Sequence, residues 1–125
     1  MGTDLTQVQL RPGLFLDVER EELVQNGMSI SLSRIQFRIL YFLVRSLSRP
    51  VRTEDIMEYA WGKNSKVSKS ELYVYISRLR ARVGDHPRSP KILISIRGFG
   101  YLLRSDVESN TDNTSLDAAT RPLQS

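Results

Sequence analysis

The most regular apolar spacing in the chain lies between Ser68 and Val83. Leu72, Ile76, Leu79 and Val83 recur at i, i+4, i+7 and i+11, a single stripe at helical period. At about 100° per residue, Ser70, Glu71, Val74, Ser77, Arg78 and Ala81 fall on the opposite side. Tyr73 and Arg80 border that side along one edge, Tyr75 and Arg82 along the other. The spacing predicts a helix over 68–83 with one core face and one face of small and polar residues.

Shorter patterns flank it. Gly13–Val18, Glu22–Gln25 and Met28–Leu32 read as strands, with a weaker one over Gln7–Leu10, and Asn26-Gly27 is a two-residue hairpin signal. Ser33-Arg-Ile-Gln36 has the capping-box form and opens a helix over 33–47, whose apolar band is Ile35, Ile39, Leu40, Phe42 and Leu43. A second helix spans 53–61: Glu54 and Asp55 suit its N-terminal dipole, Ile56, Met57 and Ala60 pack, and Trp61-Gly62 closes it. Gly84 ends the third helix, and Pro87 and Pro90 forbid its continuation. Lys91–Ile96 and Tyr101–Arg104 then form a hairpin through Arg97-Gly-Phe-Gly100.

The order predicts an α+β fold: a winged helix-turn-helix with an N-terminal antiparallel sheet over about 7–32, three helices and a C-terminal β-hairpin wing over 91–104. One domain covers 1–104. The Ser/Asn/Asp/Thr-rich stretch 105–125 reads as a disordered polar tail.

Charge sharpens this picture. Residues 1–62 carry a net −1, residues 63–104 a net +8 and residues 105–125 a net −3, within a total of +4. Cations concentrated in the second half of the fold point to a polyanionic partner. Once the stripe is spent on the core, no basic helix keeps the bulky apolar face needed to lie on a membrane. No apolar run approaches a membrane span, and the N-terminus does not read as a signal peptide. There is no cysteine, which fits a reducing compartment, so a cytoplasmic location is expected.

The face opposite the stripe suits a major groove, because small residues allow close approach and long cations reach bases or phosphates. A solvated helix face is the plain alternative. His86 stands alone in a Pro-flanked loop, and no partner His, Cys or carboxylate cluster accompanies it at ligand spacing. No nucleophile–base pair or phosphate-cradling loop is present either. No catalytic residue, metal or cofactor is expected, and the chain does not read as an enzyme.

From Leu32 to Leu103 the sequence resembles the OmpR/PhoB family, the DNA-binding output domains of two-component response regulators. The resemblance rests on Leu32-Ser33, Gln36-Phe37 and Ile39-Leu40 in the first helix, and on Val51, Ile56 and Trp61-Gly62 at the second. It continues with Ile76-Ser-Arg-Leu-Arg80 and Val83 in the third, and with Pro90, Ile92 and Ile96-Arg-Gly-Phe-Gly-Tyr101 in the wing. Membrane-anchored ToxR-like activators share much of this pattern. The resemblance implies sequence-specific double-stranded DNA binding in transcription regulation and phosphorelay signalling. It puts the third helix in the major groove with Arg78 among the base contacts, Arg97 in the minor groove, and Trp61, Ser95 and Tyr101 near phosphates. It also implies that Lys63, Asn64, Ser65, Lys66 and Val67 form a loop that meets RNA polymerase. The chain would be a monomer alone and a tandem dimer on direct-repeat DNA. No receiver domain is legible in these residues, so the chain reads as an output domain or an orphan regulator.

The chain departs from the family at several places. Tyr75 stands where the family often has a phosphate-binding His, Ser70 and Ser77 where it often has Arg, and Tyr73 where an acid is common. Phosphate binding then rests more on Lys69, Arg82 and the wing, while Arg78, Val74, Ser77, Ser70 and Glu71 discriminate among bases. Trp61 and Tyr101 are equally compatible with packing, Arg80 with a structural ion pair near the core, and 63–67 with a plain polar connector. A competing reading is a winged-helix interaction module that turns its basic face to an acidic protein.

Overall fold

The computed structural model describes residues 6–105; the tail expected over 105–125 lies, apart from Ser105, outside the described residues. Four strands open the fold: β1 (Gln7–Arg11), β2 (Leu14–Asp17), β3 (Glu22–Gln25) and β4 (Met28–Ser31), an antiparallel meander in that order. Leu14, Leu16 and Leu23 turn to the core, and Leu16 pairs with Leu23 across β2 and β3. Between β3 and β4, Asn26 and Gly27 adopt φ of 49° and 84°. Two successive left-handed residues give the turn whose twist matches that of the strands it joins.

Helix α1 (Arg34–Val44) starts from the expected capping box: Ser33 Oγ accepts the Gln36 amide at 3.1 Å and Gln36 Oε1 accepts the Ser33 amide at 2.8 Å. Its buried residues are Gln36, Phe37, Ile39, Leu40 and Leu43, whereas Ile35 and Phe42 are only partly buried. The helix predicted to reach residue 47 stops at Val44. Beyond it, Ser46 and Leu47 fold back on the carbonyls of Leu43 and Val44. Ser48 then takes φ 66° and gives its amide to Leu103 at 2.8 Å. The last strand of the fold captures the amide that would have continued the helix.

The remaining elements are β5 (Val51–Arg52), α2 (Thr53–Trp61), α3 (Lys69–Val83), β6 (Leu93–Ile96) and β7 (Gly100–Leu103). The wing is a three-stranded sheet in the order β5-β7-β6, not a hairpin alone. A two-residue strand is too short to show any period, so β5 left no mark in the pattern. β6 begins at Leu93 rather than Lys91 because the buried Asp85 carboxylate takes the preceding amides. It accepts N–H from Lys91 at 2.8 Å, from Ile92 at 3.1 and 3.2 Å and from Leu93 at 2.8 Å, as well as from His86 at 3.0 Å.

Leu72, Ile76, Leu79 and Val83 are all buried, in one cluster with Leu40, Ile56, Leu93 and Leu103. At roughly 1.5–3 kcal/mol for each large apolar side chain removed from water, this stripe fixes the rotation of α3 about its axis. The opposite face has no choice but to point outward. Among the described residues no helix is long and apolar enough to cross a membrane.

Candidate nucleic-acid interface

Helix α3 is built to end cleanly. Ser68 Oγ accepts the Glu71 amide at 3.1 Å, and Glu71 Oε1 accepts the Ser68 amide at 2.8 Å, a second capping box. Gly84, at φ 72°, closes the helix in the left-handed conformation, with Arg80 and Arg82 in the last turn where the dipole favours cations. Ser70, Val74, Ser77 and Arg78 are exposed on the outward face, Val74 at 43%.

The two edges of that face are made differently. On one, Trp61 meets Tyr75 edge-on with ring centroids 5.3 Å apart, and the Arg78 guanidinium lies 5.8 Å from the Tyr75 ring. Trp61 and Tyr75 are half-buried against the core, so together they form a platform that presents Arg78. On the other edge, Arg80 Nε donates to Leu93 O at 2.9 Å and Nη2 to Ser95 Oγ at 3.0 Å, tying the helix to the wing.

Within the wing, Ser95 and Tyr101 are register partners across β6 and β7. They border one depression with Lys69 of α3, Thr53 of α2 and Arg97 of the turn. Gly98 at φ 74° closes that turn, while Arg97 and Phe99 stand exposed. The Ser95 hydroxyl, accepting from Arg80, has its own proton free to donate outward. Burial pushes the Tyr101 phenol above its ordinary pKa; the Arg80 guanidinium lowers it and Tyr73 raises it further. The phenol is therefore a proton donor, not a phenolate.

Three expected contacts are already engaged within the chain. Lys69 Nζ is 3.4 Å from Glu54 Oε2, with both side chains exposed. The Glu54 carboxyl is held below its ordinary pKa by its own backbone amide first and by Lys69 second. Arg82 Nη1 donates to Ser31 O at 2.8 Å, which draws it toward the N-terminal sheet. The Glu71 carboxylate is committed to the helix cap. In the loop, Lys63, Asn64, Ser65 and Lys66 are exposed and Val67 half-buried, its amide bonded to Ser65 Oγ at 3.1 Å.

Sequence reasoning missed Thr53, which joins the wing depression through the β5–β7 pairing and reaches Phe99 O with its Oγ1 at 3.3 Å. No periodic signal marks it. It missed the Ser68-to-Glu71 capping box as well, although the four-residue pattern was there to read.

Residues 27–103 match the family described as "Transcriptional regulatory protein, C terminal". The sensory transduction protein RegX3 of Mycobacterium leprae (strain TN) is 33% identical over 92 residues, covering 74% of this chain and 46% of that protein. The chain spans less than half the length of the curated relatives it matches. Among solved structures, the DNA-binding domain of CpxR from E. coli superposes with a TM-score of 0.67 at 26% identity, over 80% of this chain and 97% of that one. The Klebsiella pneumoniae RstA DNA-binding domain in complex with the RstA box gives a TM-score of 0.69 at 21% identity, over 79% and 97%, and so bears on the fold.

Proposed function

This chain belongs to the transcriptional regulatory protein C-terminal family, the DNA-binding domains of OmpR/PhoB-type response regulators, and from that premise we propose that it reads double-stranded DNA with α3 in the major groove and the wing in the adjacent minor groove. The family is one of transcription regulators, not of enzymes. The observation that carries the reading is the arrangement around α3: a polar face directed outward by a fully buried stripe, with Arg78 on an aromatic platform at one edge and a wing tied to the other. Arg78 is the base reader, through two-pronged hydrogen bonding to guanine, with Val74 and Ser77 beside it and Ser70 nearer the helix start. Arg97 enters the minor groove, where a narrow A·T-rich groove concentrates negative potential. Ser95, Tyr101 and Lys69 hold phosphates along the depression between α3 and the wing, and Trp61 and Tyr75 approach the backbone on the far side.

As proposals of the same kind, the domain spans 1–104, residues 63–67 form a polymerase-contact loop, and two copies bind direct-repeat half-sites in tandem. Selection of bound duplexes from a random pool, followed by titration of the selected and a scrambled duplex over a range of salt, tests the reading. Preference for one sequence, with a log–log salt slope of about −4 to −5 for around five phosphates, is expected. Equal affinity for both duplexes would leave a basic module without sequence readout.

A further inference from the structure

The outward side of α1 carries a cationic stripe that the groove-facing elements do not use. Arg34, Arg38, Tyr41 and Arg45 recur at i, i+4, i+7 and i+11 along this helix and its C-cap. The Arg38 guanidinium lies 5.7 Å from the Tyr59 ring of α2, and that of Arg45 lies 5.8 Å from the Tyr41 ring. Phe37 stacks on Tyr41 with centroids 5.6 Å apart. The one ion pair among the described residues joins Lys69 to Glu54, so none of these three arginines has a carboxylate at ion-pair distance, although Glu21 borders the same depression. Arg38 Nε is buried with no hydrogen-bond partner.

We propose that this stripe docks a carboxylate-bearing segment of a partner protein. A guanidinium lying over a phenol ring keeps its forked N–H edge outward, and that fork matches a carboxylate with two parallel bonds. The aromatic floor of Phe37, Tyr41 and Tyr59 decides between polyanions: a peptide has apolar side chains to lay on it, whereas a phosphodiester backbone does not. At about 1.5 Å rise per residue, Arg38 and Arg45 stand roughly 10 Å apart along the helix, so a helical partner presents acids about two turns apart. The depression here shares no lining residue with the one between α3 and the wing, so an acidic protein and a duplex can be held together.

The test is an amide chemical-shift titration of the full chain with three probes: a short helical Glu/Leu peptide, its Glu→Gln counterpart and a mixed-sequence duplex. The Glu peptide is expected to move the amides of 34–45 and Tyr59, and the Gln peptide not to. An Arg38→Gln/Arg45→Gln variant is expected to bind the Glu peptide at least about tenfold more weakly. Its duplex affinity should be unchanged, which also shows that it folds. Glu-peptide shifts on α3 or the wing, equal binding of the Gln peptide, or duplex-induced shifts along 34–45 would each overturn the assignment.

Discussion

The Arg80 guanidinium donates to the Ser95 hydroxyl at 3.0 Å and to the Leu93 carbonyl at 2.9 Å, so α3 carries the wing on a two-pronged tie. Under the proposed function, Arg80 acts on DNA by holding Ser95 in place. An Arg80→Ala change removes both bonds and is expected to lower stability by about 1–3 kcal/mol in urea titrations. Arg80→Lys keeps the charge but not the fork. It is expected to leave the salt slope on DNA unchanged while reducing discrimination at the base positions read by the wing. Full recovery of that discrimination by Lys would show that only the charge matters.

Arg78 and Tyr75 should behave as a unit. Arg78→Ala is expected to weaken binding to a selected duplex by roughly 1–3 kcal/mol and to leave a scrambled duplex nearly unaffected. Tyr75→Leu keeps bulk against Trp61 but removes the ring beneath the guanidinium, so it should reproduce part of that loss. A double-mutant cycle measures the coupling. Strict additivity would mean that the platform contributes nothing to presenting Arg78.

Glu54 pairs with Lys69, the cation that the proposed function assigns to phosphate, so the two anions would compete for it. Glu54→Gln is expected to raise affinity for any duplex by about two- to fivefold and to steepen the log–log salt slope by about one, as one further cation becomes available. The sign with pH follows from the lowered pKa of Glu54: its carboxylate is ionised throughout the neutral range, and the pair weakens only as pH falls through that lowered value. The gap between variant and parent should therefore be constant between about pH 6 and 8 and close in acid. A gap that widens on acidification would contradict the competition.

Asp85 was legible in the sequence only as a loop residue, yet it gathers the amides of His86, Lys91, Ile92 and Leu93 at the root of the wing. Asp85→Ala leaves those donors without their acceptor, and a loss of roughly 3–5 kcal/mol is expected. Asp85→Asn keeps the volume but turns one acceptor into a donor that faces N–H groups, so an intermediate loss is expected. Hydrogen exchange at 91–93 should accelerate in both variants ahead of the amides of α3.

How much could be read in advance depended on the range of the interaction. The α3 stripe, the Ser33 cap and the Asn26-Gly27 turn are local patterns in which neighbouring residues carry the whole signal. What escaped is non-local. Ser48 ends α1 early by bonding a strand 55 positions away, Val51–Arg52 becomes a strand only because β7 lies beside it, and Arg82 is drawn to Ser31 across the fold. In the site, the exposed face of α3 followed from the stripe. The engagement of Lys69 by Glu54 and of Arg82 by Ser31 did not, since charge counting cannot tell a free cation from an occupied one.

Gly100 shows the same non-locality and yields the sharpest contrast. It pairs with Arg52 on one side and Ile96 on the other. A Cβ placed on it would collide with the Val51 carbonyl oxygen and lie 2.8 Å from the Thr53 amide nitrogen. Neither neighbour can yield freely, because the Thr53 amide is bonded to Phe99 O at 3.1 Å and Val51 is buried. Gly100→Ala should therefore part β5 from β7, lowering stability by about 1–3 kcal/mol and weakening duplex binding with it. Arg97→Ala, at the exposed tip of the same wing, should weaken binding without moving the melting temperature. Measuring both quantities for both variants separates wing placement from wing contact. A Gly100→Ala protein that is as stable as its parent would mean that β5 does not anchor the wing.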